Sequence, residues 1–263
     1  MRTLYQTTAL QTAALALVAL AAVACGGGGE QEDGTPILAP AAGGVYLALG
    51  DSVAYGSGAS DPESTDYVAL VAEALQPRFG GALAVQSLAV PGHTTETLIA
   101  EQLPLALDAL ERGDVRLVTI TIGGNDLSQY GAHEACLLDP ADPACPLEDG
   151  LLEVERRLGE ILSGLTAAGP NATFVIQLYP NLFSGTGHEF TRQAETAFGL
   201  LNGVITSVAA RYDVLVADPR RDFAGAGARL THLLDRTPDA HPNDEGYRVI
   251  ADAFLEALGV ERD

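Results

Sequence analysis

The chain has 263 residues, 47% hydrophobic and 19% charged, which excludes a disordered or coiled-coil protein and leaves one large domain or two small ones. Its 35 acidic residues face 14 basic ones, all Arg, for a formal net charge of −21. Phosphate backbones and anionic lipid surfaces are both bound through Lys and Arg, so nucleic-acid binding and electrostatic adsorption to membranes are excluded as default roles.

The chain begins with Arg2 and the amino terminus as a short positive region, then an unbroken apolar run from Ala13 to Ala24. Those twelve residues are too few to span a bilayer, which needs about 20. The pattern reads as an export signal. It ends Leu20-Ala21-Ala22-Val23-Ala24-Cys25, which resembles a bacterial lipoprotein lipobox. That resemblance implies cleavage before Cys25 and attachment to the membrane of the cell envelope through a lipid on Cys25 alone. The alternative is an ordinary signal peptide and a secreted protein. Gly26–Gly29 and the polar residues after it supply a flexible tether over residues 25–44. Loss of residues 1–24 leaves 239 residues with 13 basic and 35 acidic groups, a net of −22.

From residue 45 to about 260 the patterning predicts a single domain. Apolar runs at Val45–Leu49, Ala84–Val90, Val115–Ile122, Thr173–Leu178 and Val214–Ala217 show little polar alternation, as strands buried on both faces of a parallel sheet do. Helical spacing is read over Tyr67–Leu75, Leu151–Leu165 and Ala194–Val208. A last helix after Pro242 carries Tyr247, Ile250, Ala251, Phe254 and Leu258 on one stripe. Strand–helix alternation of this kind predicts an α/β fold, a five-stranded parallel sheet with helices on both faces. In such sheets ligands bind beyond the carboxyl ends of the strands.

Those ends carry the reactive residue types. The first strand ends Gly50-Asp51-Ser52, placing a hydroxyl on the strand-to-helix turn, where a nucleophile belongs. The second leads into Pro91-Gly92-His93, where the Gly92 N–H is available to a developing oxyanion. The third ends Gly123-Gly124-Asn125-Asp126, with the Asn125 amide as a neutral donor. Before the last helix stands Asp239-Ala240-His241-Pro242, a fixed mount for a base that takes the Ser52 proton. Each has a plainer reading: a helix cap, two loop glycines, a surface histidine.

Together the four, in this order over residues 45–258, resemble the SGNH, or GDSL, hydrolase family. The resemblance implies a three-layer α/β/α, flavodoxin-like fold and a serine esterase that works through an acyl-enzyme. Ser52, His241 and Asp239 would be the catalytic residues. Ser52, Gly92 and Asn125 would form the oxyanion hole. No metal or cofactor is needed, and the partner is a small ester, with the protein expected to be a monomer. The chain departs from the family pattern twice. Ser87 stands where the second block usually has Asn, and Pro238 stands where the triad acid usually lies, three residues before the His. Either Asp239 or the Pro238 carbonyl must then orient His241.

Rival chemistries lack their residues. There is no Gly-x-Ser-x-Gly pentapeptide, His188-Glu189 lacks the second His of a zinc protease, and no phosphate loop can end in Lys. A lipid-tethered binding protein on the same fold is the alternative function. Outside the cytoplasm Cys136 and Cys145 are expected to form a disulfide, contributing about 2.5–3 kcal/mol in the chain-entropy model. A metal site with His133 would want a fourth ligand that the spacing does not supply. The segments Leu127–Gly150 and Asn181–Phe190 are expected to wall the pocket, and Tyr55, Tyr130, Tyr179 and Phe183 to give it apolar surface. Candidate substrates are short-chain carboxylic esters of about eight carbons or fewer, acetylated sugars and lysophospholipids.

Overall fold

In the computed structural model the five apolar runs form one parallel sheet. Its strands are β1 (Gly44–Gly50), β2 (Leu83–Ser87), β3 (Val115–Thr121), β4 (Thr173–Gln177) and β5 (Leu215–Ala217). They lie in the order β2-β1-β3-β4-β5. The described residues are 38, 41–131 and 144–260, all within the unit Gly34–Asp263. Cys25, His133 and Cys136 lie outside them. Cys145 is disulfide-bonded, and its pairing with Cys136 stays an expectation.

The seven helices used below are α1 (Ser52–Tyr55), α2 (Tyr67–Leu75), α3 (Leu103–Glu111), α4 (Gly124–Gly131), α5 (Leu147–Ala168), α6 (Thr191–Arg211) and α7 (Asp244–Ala257). Successive strand residues point to opposite faces. Leu47, Leu49, Val118, Ile120 and Ile176 pack beneath α3, α5 and α6. Tyr46, Ala48, Leu117, Val175 and Ala217 face α2 and α7. This is the three-layer α/β/α arrangement that the alternation predicted. The stripe of α7 is buried as expected, and its Phe254 stacks on Tyr67 of α2 with ring centroids 4.7 Å apart.

The α2/α7 face carries a polar seam inside the core. The Tyr46 hydroxyl pairs with Thr119 at 2.9 Å, and the Thr121 hydroxyl donates to Gln177 Oε1 at 3.1 Å. Since that uses the one proton of Thr121, Tyr67 donates to its Oγ1 across 3.0 Å. A buried hydroxyl without a partner costs about 1–3 kcal/mol. The seam therefore fixes how α2 seats on the central strands.

Three features differ from the sequence expectation. β2 ends at Ser87 rather than Val90, because it is an edge strand with no outer neighbour. The Leu88 and Val90 amides still donate to Ala48 and Gly50 as the chain turns away through Pro91-Gly92. A helical run from Thr95 to Glu111 went unpredicted. It opens on a Thr94 cap, widens into a π turn over Leu98–Gln102, and continues as α3 with Pro104 at its second position. Proline in a helix loses a donor and crowds the carbonyl four residues back, and the wide turn accommodates it. Finally, β6 (Thr231–His232) and β7 (Asp239–Pro242) form a small antiparallel hairpin outside the main sheet. Among the described residues no helix is long and apolar enough to cross a membrane.

Candidate active site

The carboxyl ends of β1, β3 and β4 open onto one cavity of about 230 Å³. Ser52, Asn125 and His241 all line it. Three of the four expected positions thus meet at one place, although they are far apart in sequence. Gly92 does not line this cavity. It stands in the adjoining loop with φ +83, and a side chain there would meet nothing within 4 Å. No hydrogen bond joins the Ser52 hydroxyl to the His241 ring among the described residues. Such contacts are often long in unliganded enzymes and tighten only with substrate.

Ser52 owes its position to close packing around β1. Gly50 has φ +140, and a Cβ there would sit 2.1 Å from the Thr121 carbonyl, so only glycine lets β1 and β3 run this close. Asp51, not Ser52, caps α1: its Oδ1 accepts from the Val53 amide at 2.9 Å. Its Oδ2 accepts from the Tyr179 hydroxyl at 2.6 Å. Burial pushes the Asp51 carboxyl up to about 6, against the opposing pull of these two bonds. Tyr179 is itself pinned, with its amide and carbonyl both bonded to the Asn202 side chain at 2.8 Å.

The Asn125 amide donates to the His93 carbonyl at 2.9 Å, one residue after Gly92. Beside it, buried Asp126 accepts from the Thr95 amide at 2.9 Å and its hydroxyl at 2.6 Å. Burial raises the Asp126 carboxyl, while the Thr95 bonds pull it down. The Gln102 side chain, projected by the π turn, pairs with both the N–H and C=O of Gly50 at 2.9 and 2.8 Å. Its Nε2 also lies 2.9 Å from His93 Nδ1. Gln102, Asp126, Tyr179 and Asn202 thus act as positioning groups beyond those the residue pattern points to, Tyr179 being expected only as apolar surface. The residues Asp126 and Tyr179 stood next to motifs already singled out. Gln102 carried no local signal, because its helix was not predicted.

β7 presents the candidate base, His241. Asp239 Oδ1 lies 2.5 Å from His241 Nδ1 and also accepts the His241 amide at 3.1 Å. Of the two expected alternatives it is thus the Asp239 carboxylate, not the Pro238 carbonyl, that meets the ring. Desolvation pushes the Asp239 carboxyl up, but the hydrogen bonds from the His241 amide and ring, with the charges of the two histidines, together outweigh it and hold the group below the usual carboxylate range. An acceptor at Nδ1 favours the tautomer with its proton there, and His241 itself lines the cavity.

Most of the remaining wall is apolar, from Val53, Pro180, Leu182, Phe183, Phe198 and Ile250 with the Tyr179 ring, and Ser128 and Gln177 add polar atoms. The expected contributions of Tyr179, Phe183 and the Asn181–Phe190 segment are thus present. Ser128 comes from the expected Leu127–Gly150 segment, much of which, with the Tyr130 side chain, lies outside the described residues. Tyr55 does not join the cavity. It is 53% exposed at the end of the one-turn α1 and overhangs the β2 edge, lining a separate open groove with Val68, Val85 and Ser87.

Residues 48–249 match the GDSL-like Lipase/Acylhydrolase family, about three-quarters of the chain. No curated protein sequence matches. Among solved structures, the extracellular lipase of Streptomyces rimosus superposes with a TM-score of 0.64 at 23% identity, covering 81% of this chain and 99% of its own. Phospholipase A1 of Streptomyces albidoflavus NA297 gives 0.63 at 24% identity, covering 82% and 98%. The acetylxylan esterase Axe2 of Geobacillus stearothermophilus gives 0.58 at 21%, covering 84% and 97%. At these identities the likeness speaks for the fold, and the family match carries the activity. A chain with this sheet, this cavity and this family match belongs to the GDSL-like lipase/acylhydrolases and is an ester-hydrolysing serine hydrolase.

Proposed function

We propose that the protein hydrolyses small carboxylic esters, with an acyl group of up to about eight carbons, through an acyl-enzyme on Ser52. The observation that carries this reading is the cavity itself, which brings Ser52, Asn125 and His241 together beneath apolar walls. Its volume of about 230 Å³ lies below the range of about 300–1,000 Å³ for sites that take drug-sized ligands, which suits a small acyl group.

In the proposed reaction the Ser52 Oγ attacks the ester carbonyl while His241 Nε2 takes its proton. Asp239 holds the ring and stabilises the imidazolium that forms. The Ser52 amide and the Asn125 side chain, both at the cavity, donate to the oxyanion, each such donor being worth about 2.7–4 kcal/mol in the transition state, and the Gly92 amide joins them only if its adjoining loop shifts toward bound substrate. His241 returns the proton to the leaving alcohol, and the acyl group stays on Ser52. A water, deprotonated by His241, then releases the carboxylic acid and restores the serine.

The neighbours named above include a lipase, a phospholipase A1 and an acetylxylan esterase, so large and small acyl groups occur on this fold. The cavity size favours the small. The test is a series of acetyl, butyryl, octanoyl and palmitoyl p-nitrophenyl esters given to the full chain and to Ser52→Ala. Cleavage that falls away beyond octanoyl and vanishes in Ser52→Ala is the expected result. Turnover by Ser52→Ala, or undiminished palmitoyl cleavage, would overturn it. For location we propose a lipid anchor on Cys25 in the bacterial envelope, on the strength of the Leu20–Cys25 sequence.

A further inference from the structure

A second histidine stands beside the proposed base. His232 lies on β6, with its Cα paired to that of Asp239 on β7. Its Nδ1 is 2.6 Å from Asp235 Oδ2, and its Nε2 is 2.8 Å from the Gly58 carbonyl oxygen. A backbone carbonyl only accepts, and an ionised carboxylate only accepts. A neutral imidazole has a single N–H. Only the imidazolium satisfies both contacts at once.

The charges around the ring favour that form. Asp235 faces it from the turn after β6 and Asp239 from β7, while the Gly56–Ser60 segment presents the Gly58 carbonyl. The bond to Asp235, then that to Gly58, hold the ring above the ordinary histidine range, and Asp239 adds to the effect. Along the hairpin the sequence of charges is therefore Asp235 negative, His232 positive, Asp239 negative, and then the His241 ring. His232 and His241 both act on Asp239 to keep it ionised.

Gly58 connects this cluster to the nucleophile. The Ser57 amide donates to the Ser52 carbonyl at 2.9 Å, closing the left-handed Gly56 cap of α1, so the segment is tied to the turn that carries Ser52. Gly58 has φ +88, and a Cβ there would fall 2.6 Å from the Pro242 carbonyl and 2.9 Å from His241 Cβ. The chain behind Ser52 and the strand carrying His241 thus touch at one point, where His232 bonds one to the other.

We propose that His232, in its doubly protonated form, is a positioning residue that clasps the β6–β7 hairpin to the Gly58 segment and so sets His241 against Ser52. The proposal rests on the reading of Ser52 and His241 as nucleophile and base. When His232 loses a proton, the shorter, charge-assisted bond to Asp235 keeps the remaining N–H. The Gly58 carbonyl then faces a bare nitrogen, and Asp239 loses its second positive neighbour. Because the folded state raises the His232 pKa, the clasp is complete at low pH and is lost as pH rises through that value. The two histidines therefore want opposite states: His241 must be neutral to accept a proton, and His232 must be charged to hold it in place.

The test is a pH-stat profile of butyryl ester hydrolysis by the full chain, by Asp235→Asn and by His232→Asn, beside a ¹⁵N NMR titration of the histidine rings. The parent is expected to lose about three- to tenfold in kcat through an alkaline step, the weight of one hydrogen bond. The step should coincide with the His232 titration. Asp235→Asn should move step and titration down together, and His232→Asn should sit on the lower plateau without a step. A general loss of packing would instead lower activity evenly at every pH. A step that stays in place in Asp235→Asn overturns the proposal. So does a His232 ring carrying one proton at a pH below about 6.5, the ordinary histidine value. The titration needs no turnover, so a parent that cleaves no ester sinks the functional reading and leaves the clasp to the ring signals. Two protons on His232, with His241 signals that shift at its pKa, would then sustain it.

Discussion

Tyr179 donates its phenolic hydrogen to Asp51 across 2.6 Å, tying the chain leaving β4 to the residue just before Ser52. The bond crosses the floor of the cavity and is buried at both ends. It makes the orientation of Ser52 depend on two strands rather than one.

That buried carboxylate has a consequence for stability. Asp51 rises from 3.8 in the unfolded chain to about 6 in the folded one, so the neutral acid is the form the fold prefers. Its contribution is full below pH 3.8 and declines as pH rises to about 6, on the order of 3 kcal/mol in all. Asp51→Asn stays neutral throughout and can still accept from Tyr179. Denaturant unfolding across this interval should show the variant gaining on the parent as pH rises. A constant difference between the two would mean that Asp51 does not carry the titration.

The proposed triad predicts a graded series. Ser52→Ala and His241→Ala should each lower kcat by on the order of 10⁴–10⁶. Asp239→Asn keeps an oxygen near the ring but no charge, and should cost less, about 10²–10⁴. Steady-state kinetics at fixed pH decide the order. An Asp239→Asn enzyme as active as the parent would leave orientation to the backbone.

Asn125 offers two amide hydrogens, of which the His93 carbonyl takes one. The other is free for the oxyanion, so Asn125→Ala should lower kcat by about 10²–10³ with little change in KM. A rise in KM at constant kcat would instead mark Asn125 as a ground-state contact.

Phe198 forms part of the apolar wall beside Tyr179, the two rings stacked with centroids 6.1 Å apart. Phe198→Ala enlarges the cavity at its α6 side. The ratio of kcat/KM for decanoyl over butyryl esters should rise, by about tenfold for the added apolar contact. An unchanged ratio would place the acyl chain elsewhere.

Cys25→Ser removes the thiol that the proposed lipid needs. Fractionation of expressing cells should move the protein from membranes to the soluble phase. Persistence in the membrane fraction would refute the anchor.

The sheet was legible because its strands are buried on both sides, leaving unbroken runs of Val, Ile and Leu such as Val115–Ile122. Ser52, Asn125 and His241 were legible because each follows or precedes an element with a clear boundary. The helix at 95–111 was hidden by Pro104 and the Thr-rich start, both of which read as breakers. The β6–β7 hairpin was hidden for another reason: Asp239, Ala240 and His241 show no apolar alternation, since the strand is largely exposed. The reach of Asp239 to His241 depends on that extended backbone, which the one-residue offset at Pro238 concealed. Gln102 and Asn202 act through contacts 52 and 23 residues away in sequence, a range at which residue patterns carry no signal.

The proposed nucleophile and its proposed base are housed unequally. Ser52 follows an interior strand, β1, of a five-stranded sheet sealed between two helical layers, whereas His241 rides on a two-stranded ribbon. A ribbon of that size opens locally at far lower free energy than a central strand. On heating, activity is therefore expected to fade while the sheet is still intact, which parallel melting curves for activity and for far-UV circular dichroism would check. Amide exchange should show the same ordering, with β7 exchanging well before β1 and β3.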